Sequence, residues 1–210
     1  MAYTYITNIR HLIPEKLSEA MPDQVVKQRE FFGKIIKAAT AREQFEFTSG
    51  LPCRKRVNRK VCEGSVSIKV QQVPVRFIFW HCNSCEDGGR ISDFVDTWYD
   101  LNAAKTHEAS FETGEEVIEV TLNRDEYKAL ITPEINIYDP DSEKIIYSAQ
   151  STEDGVKLQA PEGEMENLIG FIAADGNHEK NRKRSKLIDS IHFKIETVLD
   201  DLMERRELLQ

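Results

Sequence analysis

All four cysteines of this 210-residue chain fall between positions 53 and 85. Cys82 and Cys85 form a C-x2-C pair, the usual half of a structural metal site, while Cys53 and Cys62 stand farther apart. Four soft ligands so close in sequence restrict the surrounding chain to a short turn-rich sheet, because the backbone must return to one point several times. Gly64–Val70 alternates polar and apolar residues, and Val75–Trp80 is β-branched and aromatic. Gln71-Gln72-Val73-Pro74 reads as the turn between them, since proline cannot donate to a central ladder. A hairpin folded about residues 73 and 74 without a bulge sets Ser65 opposite Cys82 and Cys62 opposite Cys85. The expectation is a zinc ion of structural role held by Cys53, Cys62, Cys82 and Cys85.

Two other uses of the thiols remain open. An even number of cysteines permits two disulfides, but the N-terminus shows no basic and apolar leader pattern, and no window approaches the roughly 18 apolar residues of a membrane span. A reducing cytoplasmic location is therefore expected, with no membrane partner, and there paired cysteines serve more often as ligands. A redox pair should open a helix, whereas Glu86-Asp87-Gly88-Gly89 reads as a turn after Cys85. His81, next to Cys82 on a strand, is expected to point to the opposite face.

The flanking chain predicts an α+β fold. Tyr3–Ala20 carries Ile6, Ile9, Leu12 and Ile13 at helical spacing up to Pro14. Pro22-Asp23 opens a helix whose stripe is Val25, Phe32, Ile35, Ile36 and Ala39. Gln44–Thr48 alternates as a strand, Arg90–Phe94 as another, and Trp98 and Tyr99 are expected as a lid on the sheet. Together these make an N-terminal helix plus a zinc-ribbon-like antiparallel sheet over residues 1–102, followed by a polar linker over 103–114. Residues 115–210 read as a small α+β unit ending in a long amphipathic helix. Within it, Glu116–Leu122 is a strand and Asn123 an N-cap. Lys144–Ala149 and Val156–Gln159 flank Glu153-Asp154-Gly155 as a hairpin. From Glu164 one long helix is expected, weak at Asp175-Gly176-Asn177, with Leu187, Ile188, Ile191, Ile195, Val198, Leu199 and Leu202 as a seam on which a homodimer can form.

Two segments concentrate positive charge. Arg54, Lys55, Arg56, Arg59 and Lys60 lie between the first two cysteines, and Lys180, Arg182, Lys183, Arg184 and Lys186 lie in the C-terminal helical region. Either can contact phosphates. Equally, the first can offset thiolate charge, and the second can be balanced by Glu162, Glu164 and Glu166. Phe77, Phe79 and Trp80 offer rings for base stacking or for the core. The formal charge of −8 excludes a protein that coats nucleic acid with its whole surface.

Cys53-x8-Cys62-x-Gly64, Val73-Pro74, Trp80-x-Cys82-x2-Cys85 and Gly89-x-Ile91 running to Trp98-x-Asp100-Leu101 resemble a family of uncharacterised bacterial zinc-ribbon-like proteins. Phe171-Ile172-Ala173-Ala174 followed by Asn177-His178-Glu179 and Asn181-Arg182 is similar to that family's second signature. The resemblance implies a metal-binding ribbon and a helical segment, and no activity. Glu86 stands where the family carries glycine after the last cysteine.

Three classes of function follow. The first is a zinc-binding, non-catalytic module that docks a nucleic acid or a protein partner. The second is an assembly protein with purely structural zinc. The third is an enzyme built around His178 and Glu179, which with Asn177 and Arg182 make a candidate acid–base cluster; Asp175 and His178 are also spaced as two metal ligands. No P-loop, nucleophile elbow, H-E-x-x-H or dinucleotide fingerprint supports the third, so a non-enzyme is favoured.

Overall fold

The computed structural model describes residues 5–14, 21–42, 44–57, 59–72, 75–102, 116–132 and 138–208. The class is α+β, as the patterning predicts, and the chain divides into two compact units, Met1–Glu108 and Ala109–Gln210. The segment expected as a linker lies outside the described residues.

Unit 1 is built on strands β1 (Tyr5–Asn8), β2 (Glu46–Pro52), β5 (Ser65–Gln71), β6 (Phe77–Cys82) and β7 (Gly88–Ser92), with a separate small hairpin of β3 (Arg56–Val57) and β4 (Lys60–Val61). Their order in the sheet is β1-β7-β6-β5-β2; β1 runs parallel to β7 and the other pairs are antiparallel. Helix α1 (Asp23–Thr40) lays Phe32, Ile35, Ile36 and Ala39 against the sheet. There they meet Ile68, Ile78, Trp80 and Ile91, all buried. Burying each such side chain contributes roughly 1.5–3 kcal/mol.

The β5–β6 register corrects the expected one by a single residue: Val66, not Ser65, stands opposite Cys82, and Gln71 stands opposite Phe77. Facing parity decides it. Ile68 must share a face with Trp80, and a slip of one would set each inward residue of β5 against an outward residue of β6. The N-terminal segment with helical spacing is strand β1 followed by a 3-10 turn, Ile9–Leu12, where the Asn8 side chain accepts the Arg10 N–H. Gly88 and Gly89 are strand, not turn. A Cβ on Gly89 would lie 2.7 Å from the Tyr5 carbonyl oxygen, so β7 needs glycine there to approach β1. Tyr99 does cover the sheet's helix, pressed so close to Gly33 that no Cβ fits, but Trp98 is 51% exposed and is no lid.

Unit 2 pairs β8 (Val117–Leu122) with β10 (Val156–Pro161), and β10 with the short β9 (Gln150–Ser151), all antiparallel. Around it lie α2 (Arg124–Leu130), α3 (Pro140–Tyr147), α4 (Glu162–His178) and α5 (Arg182–Leu208). Asn123 caps α2 in a full capping box with Glu126. Two expectations are corrected. Residues Lys144–Tyr147 are helix rather than strand, because Asp139 accepts the Ser142 N–H and Pro140 opens the first turn. The single long helix is two. Gly176 stays helical, and a Cβ there would stand 3.2 Å from Ile188 Cγ2, a tight contact. The break comes at Glu179–Asn181, where Asn181 accepts the Lys183 and Arg184 N–H groups and so restarts the helix.

Five of the seven seam residues of α5, Ile188, Ile191, Ile195, Leu199 and Leu202, are buried, with α5 packed along α4, α2 and β8. The seam from which self-pairing was expected therefore faces the unit's own core. Glu162 likewise pairs with Arg206, not with the basic run at 180–186.

Candidate metal centre

Four segments deliver one cysteine each to a single point. Cys53 follows β2, Cys62 follows the β3–β4 hairpin, Cys82 ends β6, and Cys85 closes the turn into β7. Their sulfurs lie within 4.8 Å of one another, the one such group of metal-binding side chains among the described residues. Cys53 Sγ and Cys85 Sγ are 3.7 Å apart, as are Cys62 Sγ and Cys82 Sγ. A disulfide needs about 2.05 Å, and all four cysteines are free. A tetrahedron with metal–sulfur bonds of about 2.3 Å places its sulfurs about 3.8 Å apart. Those two distances match that edge, and all four sulfurs lie close enough to share one ion.

The backbone prepares the thiols as ligands. The Lys55, Gly64 and Ser84 N–H groups donate to Cys53, Cys62 and Cys82 Sγ at 3.4, 3.4 and 3.3 Å. Each comes from two residues further along the chain, a knuckle that favours the thiolate. The Gly64 bond pulls the Cys62 thiol below its ordinary value, whereas burial pushes Cys53 and Cys82 up. A metal ion overrides both by binding only the deprotonated form.

Three further residues shape the centre. A Cβ on Gly64 would stand 2.4 Å from Cys82 Sγ, so the position admits only glycine while the sulfur keeps its place. Asn83 turns its side-chain oxygen back to accept the Ser65 N–H at 2.9 Å, while its own N–H donates to the Ser65 carbonyl at 3.0 Å, pinning the turn to β5. Asp87, buried, lies 4.0 Å from Cys53 Sγ and its carbonyl accepts the Cys82 N–H. Neither Asn83 nor Asp87 stood out in the sequence, where a C-x-x-C turn shows only its cysteines. His81 is half-buried on the alternate face of β6 and is not among the converging ligands.

The basic residues separate into two kinds. Lys55, Arg56, Arg59 and Lys60 are exposed on or beside the β3–β4 hairpin, with Arg59 at its turn in the left-handed region, φ 67°. Arg54 is not available to a ligand in the same way. Its guanidinium lies 5.0, 4.4 and 5.2 Å from the ring centres of Tyr5, Phe31 and Phe32, and these rings pack on Trp80. Trp80 itself is fully buried, so it cannot stack on a base; Phe77 and Phe79 lie half-buried on the other face.

In unit 2, Lys180, Arg182 and Lys183 are exposed, as are Asn177 and His178. Arg184 is engaged: it pairs with Asp175 and Glu179 and donates to the Ala129 carbonyl at 3.0 Å. Glu179, expected beside His178 as an acid–base group, instead holds Arg184 and accepts the Asn181 N–H, and Arg184 keeps its carboxyl below the usual range. The three residues Asn177, His178 and Glu179 thus form the end of a helix and its elbow. Asp175 is completely buried against Arg184, apart from any metal-binding group.

Among the described residues no helix is long and apolar enough to cross a membrane. Comparison with family models, curated proteins and solved structures finds no match to this chain.

Proposed function

We propose that Cys53, Cys62, Cys82 and Cys85 hold one structural zinc ion in a zinc-ribbon-like unit, and that the hairpin anchored by it binds the phosphate backbone of a nucleic acid. The observation that carries the metal is the convergence of four sulfurs within 4.8 Å, with two Sγ–Sγ distances of 3.7 Å. A tetrahedral all-thiolate set suits zinc, and four protein ligands leave no open position for substrate or water, which makes the role non-catalytic. The resemblance to zinc-ribbon-like proteins supports the ribbon and lends it no activity.

The phosphate contact follows from placement. A zinc bound by four thiolates carries a net charge of about −2. Lys55, Arg56, Arg59 and Lys60 stand on the loop between two ligands, exposed, and their charge exceeds what the thiolates neutralise. In a chain of net charge −8 such a local surplus directs a polyanion to one place. Fluorescence anisotropy with labelled single- and double-stranded oligonucleotides across a salt series tests this. Log K should fall linearly with log salt, and neutralising all four residues should remove about 3 to 4 from the slope. An unchanged slope, or no binding at low salt, rejects the nucleic-acid partner and leaves a protein partner as the alternative.

A further inference from the structure

The four sulfurs of the centre are not equally placed. Cys53 and Cys82 are buried, 3% and 4% exposed, whereas Cys62 and Cys85 are partly open to solvent. Each of the two 3.7 Å contacts joins one sulfur of each kind, Cys62 to Cys82 and Cys85 to Cys53. We propose that the centre is a redox switch: hydrogen peroxide oxidises the thiolates in those two pairs, and the metal ion is released. The release rests on the zinc reading above; the pairing rests on the sulfur positions alone.

The surrounding backbone favours these two pairs. The Cys82 sulfur stands over Gly64, two residues from Cys62, where a Cβ would come within 2.4 Å of it. The Cys53 sulfur lies 4.0 Å from a carboxylate oxygen of Asp87, two residues beyond Cys85. Main-chain bonds fix both buried cysteines. The Cys53 N–H donates to the Gly64 carbonyl and the Cys82 N–H to the Asp87 carbonyl, each at 2.8 Å. Cys62 and Cys85 instead sit in the segments between β4 and β5 and between β6 and β7. Closing a contact of 3.7 Å to the disulfide length of about 2.05 Å therefore falls to the open partner.

Peroxide suffices as the oxidant. The open thiolate attacks one peroxide oxygen, the O–O bond breaks, hydroxide leaves, and the cysteine becomes a sulfenic acid. The buried thiolate beside it attacks that sulfur, forms the S–S bond and expels a second hydroxide. Each pair gives two electrons to one peroxide molecule. Such reactivity needs both thiolate character and access. All four cysteines are thiolates when a metal is bound, and burial withholds access from Cys53 and Cys82. A disulfide sulfur is no thiolate ligand, so one completed pair leaves the ion half its ligands and two pairs leave it none.

The chain has no cysteine outside this centre, so thiol titration of the full-length, metal-loaded protein reports on it alone. Two equivalents of hydrogen peroxide should consume all four thiols and release the bound zinc to a chromogenic chelator. A dithiol reductant with added zinc should restore both. Tandem mass spectrometry of tryptic peptides, with fragmentation between Cys82 and Cys85, should find the bonds Cys62–Cys82 and Cys53–Cys85. A sulfenic-acid trap present during oxidation should label Cys62 and Cys85 rather than Cys53 and Cys82. Thiols that survive the peroxide, zinc that stays bound after they are lost, trapping at the buried cysteines, or bonds Cys53–Cys62 and Cys82–Cys85 would each overturn the proposal. A chain purified without metal would overturn the zinc reading instead, and the same mapping on that chain decides the pairing.

Discussion

The guanidinium carbon of Arg54 lies 4.4 Å from the centre of the Phe31 ring, and the residue before it is Cys53. The first thiol of the cluster is thereby fastened to α1 through a cation held among three aromatic rings. Arg54→Ala should cost about 1–2 kcal/mol, the range of a partly desolvated cation–π contact, whereas Lys55→Ala should stay within about 0.5 kcal/mol. Urea unfolding of both variants with metal bound measures the difference. Equal losses would mean that the rings do not hold Arg54 in solution.

The two tryptophans of the chain, Trp80 and Trp98, are both in unit 1, and Trp80 is fully buried beside α1. Tryptophan fluorescence, excited beyond the tyrosine band, therefore reports on the cysteine-bearing unit. Cys85→Ala removes one ligand of four and should lower the fluorescence midpoint sharply, because metal affinity of roughly 10–16 kcal/mol is folding free energy in such sites. Neutralising Lys55, Arg56, Arg59 and Lys60 together should leave that midpoint nearly unchanged, since all four are exposed. A collapse of the quadruple variant would make those charges structural.

Much of this was legible in the chain. The C-x2-C pair, the α1 stripe and the Asn123 N-cap each depend on neighbours a few residues away, and each is where local chemistry put it. What failed depended on distance or on competing local signals. Ile145-Ile146-Tyr147 looks like a strand, but the Asp139-Pro140 cap starts a helix and packing completes it. Counting from the turn sets the hairpin register one residue off, because the shared face of Ile68 and Trp80 decides it. Nothing local distinguishes Arg54 from the rest of its basic run, because Phe31 and Tyr5, the rings it packs against, are remote in sequence. Similarly, the α4–α5 elbow hides in Asn181, whereas Gly176, the apparent weak point, serves close packing on Ile188.

Asp175 and Arg184 form the covered ion pair of that elbow. Asp175→Ala leaves the guanidinium with one fewer partner in a confined site and should cost about 3–5 kcal/mol by far-UV circular dichroism. His178→Ala, on an exposed residue, should change stability by less than about 0.5 kcal/mol. If His178→Ala were the more damaging, the elbow would owe its stability to a contact other than this pair.

Acid sensitivity of unit 2 should pass through Glu126. Burial opposes its charge, yet Lys194, the Asn123 N–H and Ser190 win and hold its carboxyl below the usual range. A depressed folded pKa means stability that is present above the ordinary carboxylate value and lost as pH falls through the folded one. Glu126→Gln should therefore be less stable at neutral pH and should show a shallower loss below the ordinary carboxylate range. Parallel curves for variant and wild type would contradict this.

The most direct measurement is elemental analysis of the purified chain, followed by replacement of the bound ion with cobalt(II). One zinc per chain, with an absorption spectrum characteristic of tetrahedral cobalt thiolate that disappears in Cys85→Ala, is the predicted result. A well-folded protein with no stoichiometric metal, or with iron in place of zinc, would contradict it.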